Sequence, residues 1–135
     1  MEEIYMSEAI EQAKKALRKG EVPVGAVIVK DSKIIARAHN KRETKKDTTC
    51  HAEILAIKKA CKKIKDWRLN GCTIYVTLEP CPMCMGAIKQ ARMDKVVYGT
   101  KNTKEVDLPL VITNSDVQEK ECSRLLKLFF KKMRN

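Results

Sequence analysis

Over residues 2–19 apolar side chains recur at helical spacing. Ile4, Ala9, Ile10, Ala13, Ala16 and Leu17 form one stripe, and Glu8, Glu11, Lys14 and Lys15 fall largely outside it. The pattern predicts a helix that Gly20 stops. Residues 22–30 are rich in Val and Ile and read as a strand, with Pro23 and Gly25 near its start, where Pro is tolerated. Asp31-Ser32 turns the chain into a second strand over 33–38, so the pair predicts a hairpin. Residues 39–49 are polar and predict a long surface loop of the kind that often carries function. Helical spacing returns over 50–64, with Ala52, Leu55, Ala56 and Cys61 near one face.

Asn70-Gly71 is a turn signal, and residues 72–78 are almost continuously apolar or β-branched, which predicts a buried strand. Residues 80–92 open with prolines and continue as a helix; 95–98 is a short strand ended by Gly99. After a polar connector at 101–107, residues 108–113 predict a fifth strand, pushed to a sheet edge by Pro109. Asn114, Ser115 or Asp116 caps a last helix to about Lys132, with Val117, Cys122, Leu125, Leu126, Phe129 and Phe130 as its apolar set. Helices alternating with strands predict an α/β protein, a three-layer α/β/α sandwich around a mixed five-stranded sheet. The opening hairpin is expected to be antiparallel, and the later strands, joined through helices, parallel.

The length of 135 residues suits one domain, residues 1–135. No apolar run approaches the roughly 18 residues a membrane span needs, and residues 1–7 lack the basic-then-apolar layout of a secretion signal. The expected location is therefore cytoplasmic. Six cysteines in a reducing compartment are read as buried thiols, metal ligands or nucleophiles rather than disulfides. Twenty-eight Lys and Arg against 17 Asp and Glu leave a net charge of +11. That excess fits a nucleic-acid partner, and equally a lysine-rich surface with no partner at all.

Two segments carry candidate chemistry: His51-Ala52-Glu53 and Pro80-Cys81-Pro82-Met83-Cys84, each at a helix start. Cysteines separated by two residues can both reach one ion from a helix's first turn, and a histidine from another helix can supply a third ligand. Three protein ligands leave a tetrahedral zinc one open position for water, the mark of a catalytic site. Helix N-termini favour thiolate at Cys81 and Cys84. Zinc lowers the pKa of its water toward roughly 7. Glu53, two residues from His51, is placed to shuttle protons without ligating the ion. Two alternatives stand beside this reading: a redox pair at Cys81 and Cys84, and a closed structural site with Cys50 as fourth ligand. His39 is read as a strand-end surface residue, and Cys61, Cys72 and Cys122 as core thiols.

His-x-Glu followed by Pro-Cys-x-x-Cys resembles the signature of the zinc-dependent cytidine and nucleobase deaminases. Within that superfamily the chain is similar to the bacterial tRNA adenosine deaminases. The similarity runs through Glu21-Val22-Pro23-Val24-Gly25, Asn40, His51-Ala52-Glu53-Ile54, Thr77-Leu78-Glu79-Pro80-Cys81-Pro82-Met83-Cys84, Gly86-Ala87-Ile88 and Val96-Val97-Tyr98-Gly99. The resemblance implies a cytidine-deaminase-like fold and one Zn2+ per chain on His51, Cys81 and Cys84. It implies Glu53 as the general acid/base, Asn40 as a hydrogen-bond partner of the target base, and Val22 and Pro23 as pocket walls. It further implies conversion of adenosine to inosine at the anticodon wobble position of tRNA, by a homodimer. Where that family commonly carries Asp, this chain has Asn102; the Gly-Ala-rich stretch and the Asn-His pair that follow it are absent. Losing that carboxylate removes a charge that repels phosphate, so Asn102 is expected to relax discrimination among nucleic acids. Two other functions remain open on the sequence: deamination of a free nucleobase or nucleoside (cytosine, guanine or adenosine), and a zinc-stabilised binding module without catalysis.

Overall fold

The computed structural model describes residues 1–102 and 112–134. Among the described residues the element order is α1 (Glu2–Arg18), β1 (Gly25–Lys30), β2 (Lys33–His39), α2 (Arg42–Lys45), α3 (Ala52–Ile64), β3 (Cys72–Leu78), α4 (Pro82–Gln90), β4 (Lys95–Thr100), β5 (Ile112–Asn114) and α5 (Glu119–Arg134). The strands form one five-stranded sheet in the order β2-β1-β3-β4-β5. β1 pairs antiparallel with both β2 and β3, and β3–β4 and β4–β5 are parallel. The expected hairpin and the expected parallel strands are both present. Most of the proposed fifth strand, residues 108–111, lies outside the described residues.

Side chains alternate across each strand, and the two resulting faces explain the layers. Ala26 and Ile28 of β1, Ile74 and Val76 of β3, and Val96 and Tyr98 of β4 face one way, toward Ala52, Ala56 and Ala60 of α3 and Met85 and Ile88 of α4. Val27 and Val29, Tyr75 and Val97 face the other way, toward Met6, Ala9, Ile10 and Ala13 of α1 and Cys122 and Leu125 of α5. The central strands are buried on both faces, which is why they lack the alternation of a half-exposed strand. β2 keeps that alternation because it is an edge strand. On α1 and α3 alanines stand against the sheet, Ala9 and Ala13 on the first and Ala52, Ala56 and Ala60 on the second, so these layers approach closely. At Gly25 the approach is closest: a Cβ there would collide with the Ala9 carbonyl and the Ala13 amide of α1. Gly99 is likewise hemmed in, by Cys122 Sγ and the Thr77 carbonyl.

Three expectations need correction. Ile4 is exposed, and the first turn of α1 instead buries Tyr5 and Met6. Tyr5 meets Tyr75 of β3 with ring centroids 5.2 Å apart, which sets the helix phase about one residue later than an Ile4 stripe. Phe130 is largely exposed, while Phe129 on the adjoining face is buried. The polar stretch 39–49 is not wholly irregular, because a single helical turn, α2, is folded into it.

Candidate active site

β2 and β3 are each antiparallel to β1, so they run in the same direction and end at the same edge of the sheet. The chain leaving β2 leads to the start of α3, and the chain leaving β3 leads to the start of α4. His51 and Cys81 occupy the two N-cap positions in extended conformation. Two helix N-termini therefore face one point, and their partial positive charge favours anionic donors there. His51 Nδ1 lies 3.7 Å from Cys81 Sγ and 3.4 Å from Cys84 Sγ. All three donor atoms fall within 4.8 Å of one another.

These distances test the fit to a metal. A tetrahedral zinc with arms of about 2.0–2.3 Å has ligand–ligand edges of about 3.3–3.8 Å. The observed His–Cys separations fall in that range, so the triad fits a tetrahedral ion with one direction left for a non-protein ligand. Cys50 is buried but is not part of the donor group; its backbone N–H is tied to the Asp47 carbonyl at 3.1 Å.

The thiols divide the charge between them. The Cys84 S–H donates to Cys81, and with His51 this pulls the Cys81 thiol down to about 3. The same bond, with burial, pushes the Cys84 thiol up. His51 is raised above its ordinary value, chiefly by its hydrogen bond to Cys81. Glu53, on the first turn of α3, is 4 % exposed. Burial raises its carboxyl to about 7, where it can hold or release a proton near neutral pH.

A cavity of about 120 Å3 opens onto this floor, lined by His51, Ala52, Glu53 and Cys81 below and by Val22, Val24, Asn40, Arg42, Leu78, Glu79 and Asn102 around it. Val22, Asn40 and Asn102 thus stand on one pocket with Glu53 and with His51 and Cys81 of the donor triad. Pro23 does not line it. The Val24 N–H donates to the Val22 carbonyl at 2.8 Å, closing a tight turn around Pro23 that sends the two valines to the pocket and the proline into the protein. His39, read as a surface residue, is buried: its Nδ1 is 3.3 Å from Gln12 Oε1 and its Nε2 is 3.4 Å from Lys19 Nζ.

The rim is held in place by residues to which the sequence reading gave no role: Glu21, Arg42 and Glu79. Asn40 donates from Nδ2 to the Val22 carbonyl at 3.3 Å and accepts the Arg42 N–H at 3.1 Å, so its amide is oriented from both ends. The Glu21 carboxylate, 1 % exposed, accepts the Glu43 N–H at 3.1 Å and the Thr44 N–H and hydroxyl at 2.6 Å each. Burial works to raise the Glu21 pKa, but these bonds outweigh it and hold the group below its ordinary value. Glu21 thereby clamps α2, and with it Asn40 and Arg42, to the pocket wall. On the far side Glu79 Oε1 accepts the Asn102 N–H at 3.1 Å, and the Glu79 N–H donates to the Thr100 carbonyl at 2.8 Å. In the sequence Glu21 and Glu79 show as acidic residues flanking apolar strand segments, Glu21 before residues 22–30 and Glu79 after residues 72–78, within the runs that carry the family resemblance.

Comparison with known proteins places this geometry in a family. The chain is 48% identical over 146 residues to the tRNA-specific adenosine deaminase of Bacillus subtilis, covering 98% of this chain and 91% of that protein. A solved structure from work on A-to-I editing by tRNA:A34 deaminases at the wobble position of transfer RNA is similar with a TM-score of 0.87 and 36% identity, over 90% of this chain and 98% of that one. The structure of guanine deaminase from Bacillus subtilis is similar with a TM-score of 0.71 and 44% identity, over 75% of this chain and 65% of that one. The family model of the MafB19-like deaminases matches residues 1–134, and the chain belongs to that family.

Proposed function

We propose that this protein is a zinc-dependent hydrolase that converts adenosine to inosine at the wobble position of tRNA. The observation that carries the reading is the convergence, on one small pocket, of a three-donor metal triad and a buried carboxyl poised near neutrality. The similarity to tRNA-specific adenosine deaminases over nearly the whole chain supports the choice of substrate.

His51 Nδ1 and the sulfurs of Cys81 and Cys84 would hold the ion, one per chain. Zinc bound there supplies Lewis-acid activation of water near neutral pH. Glu53 is the group placed to carry the two protons of the attacking water, one to N1 of the base and one to its exocyclic nitrogen, as the C6–O bond forms. The C6–N bond breaks, ammonia leaves, and C6 keeps the water's oxygen as the carbonyl of inosine. Asn40, fixed by Val22 and Arg42, presents its amide to the base edge. Val22 and Leu78 give an apolar wall for a ring flipped out of its stack. The cavity is small and partly enclosed, which suits one planar base rather than a length of strand. The reading includes a homodimer and a cytoplasmic setting; sedimentation and cell fractionation test these two points.

The likeness to a guanine deaminase favours a second reading, a free purine as substrate. A panel of substrates separates the two. Zinc-loaded protein is incubated with an anticodon stem-loop carrying adenosine at the wobble position, and with free adenosine, guanine and cytosine, and products are read by mass. Inosine in the stem-loop with little turnover of the free compounds is the expected result. Turnover of guanine or a free nucleoside without change in the RNA would replace the tRNA reading with the second one.

A further inference from the structure

The +11 charge is not spread evenly in its consequences. On the described surface six basic side chains have a carboxylate partner, among them Lys14 with Glu11, Arg37 with Glu8, Lys95 with Glu2 and Arg124 with Glu121. Around the C-terminal end of the edge strand β2 four lysines gather from both faces of the sheet. Lys15 comes from α1 and Lys19 from its C-cap on one face of the sheet, Lys59 from α3 on the other, and Lys41 from the chain just beyond β2. All four act electrostatically on His39, the last residue of β2, and Lys41 and Lys15 also act on Lys59. Among the described residues, none of the four has a carboxylate within 4.0 Å.

What anchors them is neutral. Lys19 Nζ meets His39 Nε2 at 3.4 Å, and His39 Nδ1 faces Gln12 Oε1 at 3.3 Å. Lys59 Nζ donates to the Arg37 carbonyl at 2.7 Å. These acceptors hold two ammonium groups in place without cancelling their charge. Burial and the surrounding lysines keep His39 neutral, with its pKa lowered to about 4. Lys59 lies within electrostatic range of Lys15 and Lys41, and that repulsion is relieved by an external anion. His39 is followed directly by Asn40 of the pocket, so the cluster surrounds the end of β2 that leads into the pocket wall.

We propose that Lys15, Lys19, Lys41 and Lys59, straddling the pocket end of β2, form a phosphate-binding track for the RNA strand that delivers its base to the site. This rests on the tRNA reading above and adds the path of the backbone. A polyphosphate strand fits better than a single anion, because the charges come from three elements on both sides of a strand edge. The competing explanation is that lysines at a sheet edge block pairing with another chain. Only the RNA track requires them to respond to salt together with the substrate.

The test uses the zinc-loaded full chain with the triple variant Lys15→Gln, Lys19→Gln, Lys59→Gln, and measures stem-loop affinity across a salt series. Each lysine that neutralises a phosphate contributes about 0.7–0.9 to the slope of log K against log salt. The expected result is a slope shallower by about two, affinity at low salt weakened by roughly tenfold or more, KM raised and kcat little changed. A second measurement needs no variant. Acetylation of the wild-type protein, read by mass, should show these lysines protected by the stem-loop while Lys30 and Lys33 at the other end of the hairpin are not. An unchanged slope with no selective protection overturns the track. So does a triple variant that aggregates yet keeps the wild-type slope, which assigns the lysines to guarding the edge. Wild-type protein that neither binds nor deaminates the stem-loop overturns the tRNA reading itself, and the track with it.

Discussion

The floor of the pocket and its rim are made in different ways. The floor, His51, Glu53, Cys81 and Cys84, comes from two short segments, each within one helical turn of a helix start. Its geometry follows from local spacing once two strands run in parallel directions. The rim, Asn40, Arg42 and Asn102, is held by carboxylates distant in sequence: Glu21 reaches 22 and 23 residues along the chain, and Glu79 reaches 23. The floor is a matter of motif and dipole, whereas the rim is a matter of long-range hydrogen bonding. Chemistry should therefore depend on the floor, and substrate fit and local stability on the rim.

The sharpest way to break this division is at Glu53. Glu53→Gln removes the proton carrier and keeps the size, so turnover should fall by about 10²–10⁴ while zinc content and stability hold. His51→Ala should remove zinc and activity together, and elemental analysis distinguishes the two variants. At the rim, Glu21→Ala strips the partner from two backbone N–H groups and a hydroxyl, and should cost about 2–4 kcal/mol in thermal or denaturant unfolding. Glu21→Gln keeps an acceptor and should cost less. Equal loss in both would show that charge, not hydrogen bonding, holds α2.

A pH effect is expected outside the catalytic floor. His39 is lowered to about 4 in the folded protein against an ordinary 6.5. Between those values the unfolded chain binds more protons, so stability is fully present above pH 6.5. It falls as pH is lowered through that window and levels below about 4. The loss should amount to about 1–3 kcal/mol, and His39→Gln should flatten this part of the curve. The smallest effect is expected at Asn102. Asn102→Asp places a negative charge at the pocket mouth, beside the carboxylate of Glu79, and should weaken stem-loop binding by a few-fold in a salt-dependent way. A salt slope identical to wild type would remove Asn102 from any part in nucleic-acid discrimination.

Much of this molecule is legible in its sequence. The runs at residues 22–30 and 72–78 mark buried strands because their apolar side chains must fill both faces of the sheet. The His-x-Glu and Cys-x-x-Cys spacings mark the floor because one helical turn fixes where those donors point. What the sequence conceals is set by partners far along the chain. Ile4 stays exposed because Tyr5 finds Tyr75. His39 is buried because Gln12 of α1 and Lys19 at its C-cap close over the end of β2. Pro23 leaves the pocket wall because a single backbone bond turns the chain around it. The turn α2 forms inside a polar stretch because Glu21 supplies acceptors for its first amides, a contact that periodicity does not reveal.

The central claim is that one buried carboxyl beside a zinc triad turns adenosine into inosine in RNA. It is tested most directly by measuring zinc content and inosine formation together, on one anticodon stem-loop, for wild type and Glu53→Gln. The account expects one zinc per chain in both proteins and inosine from the wild type alone. Comparable inosine from Glu53→Gln, or a fully active wild type that carries no zinc, would contradict it.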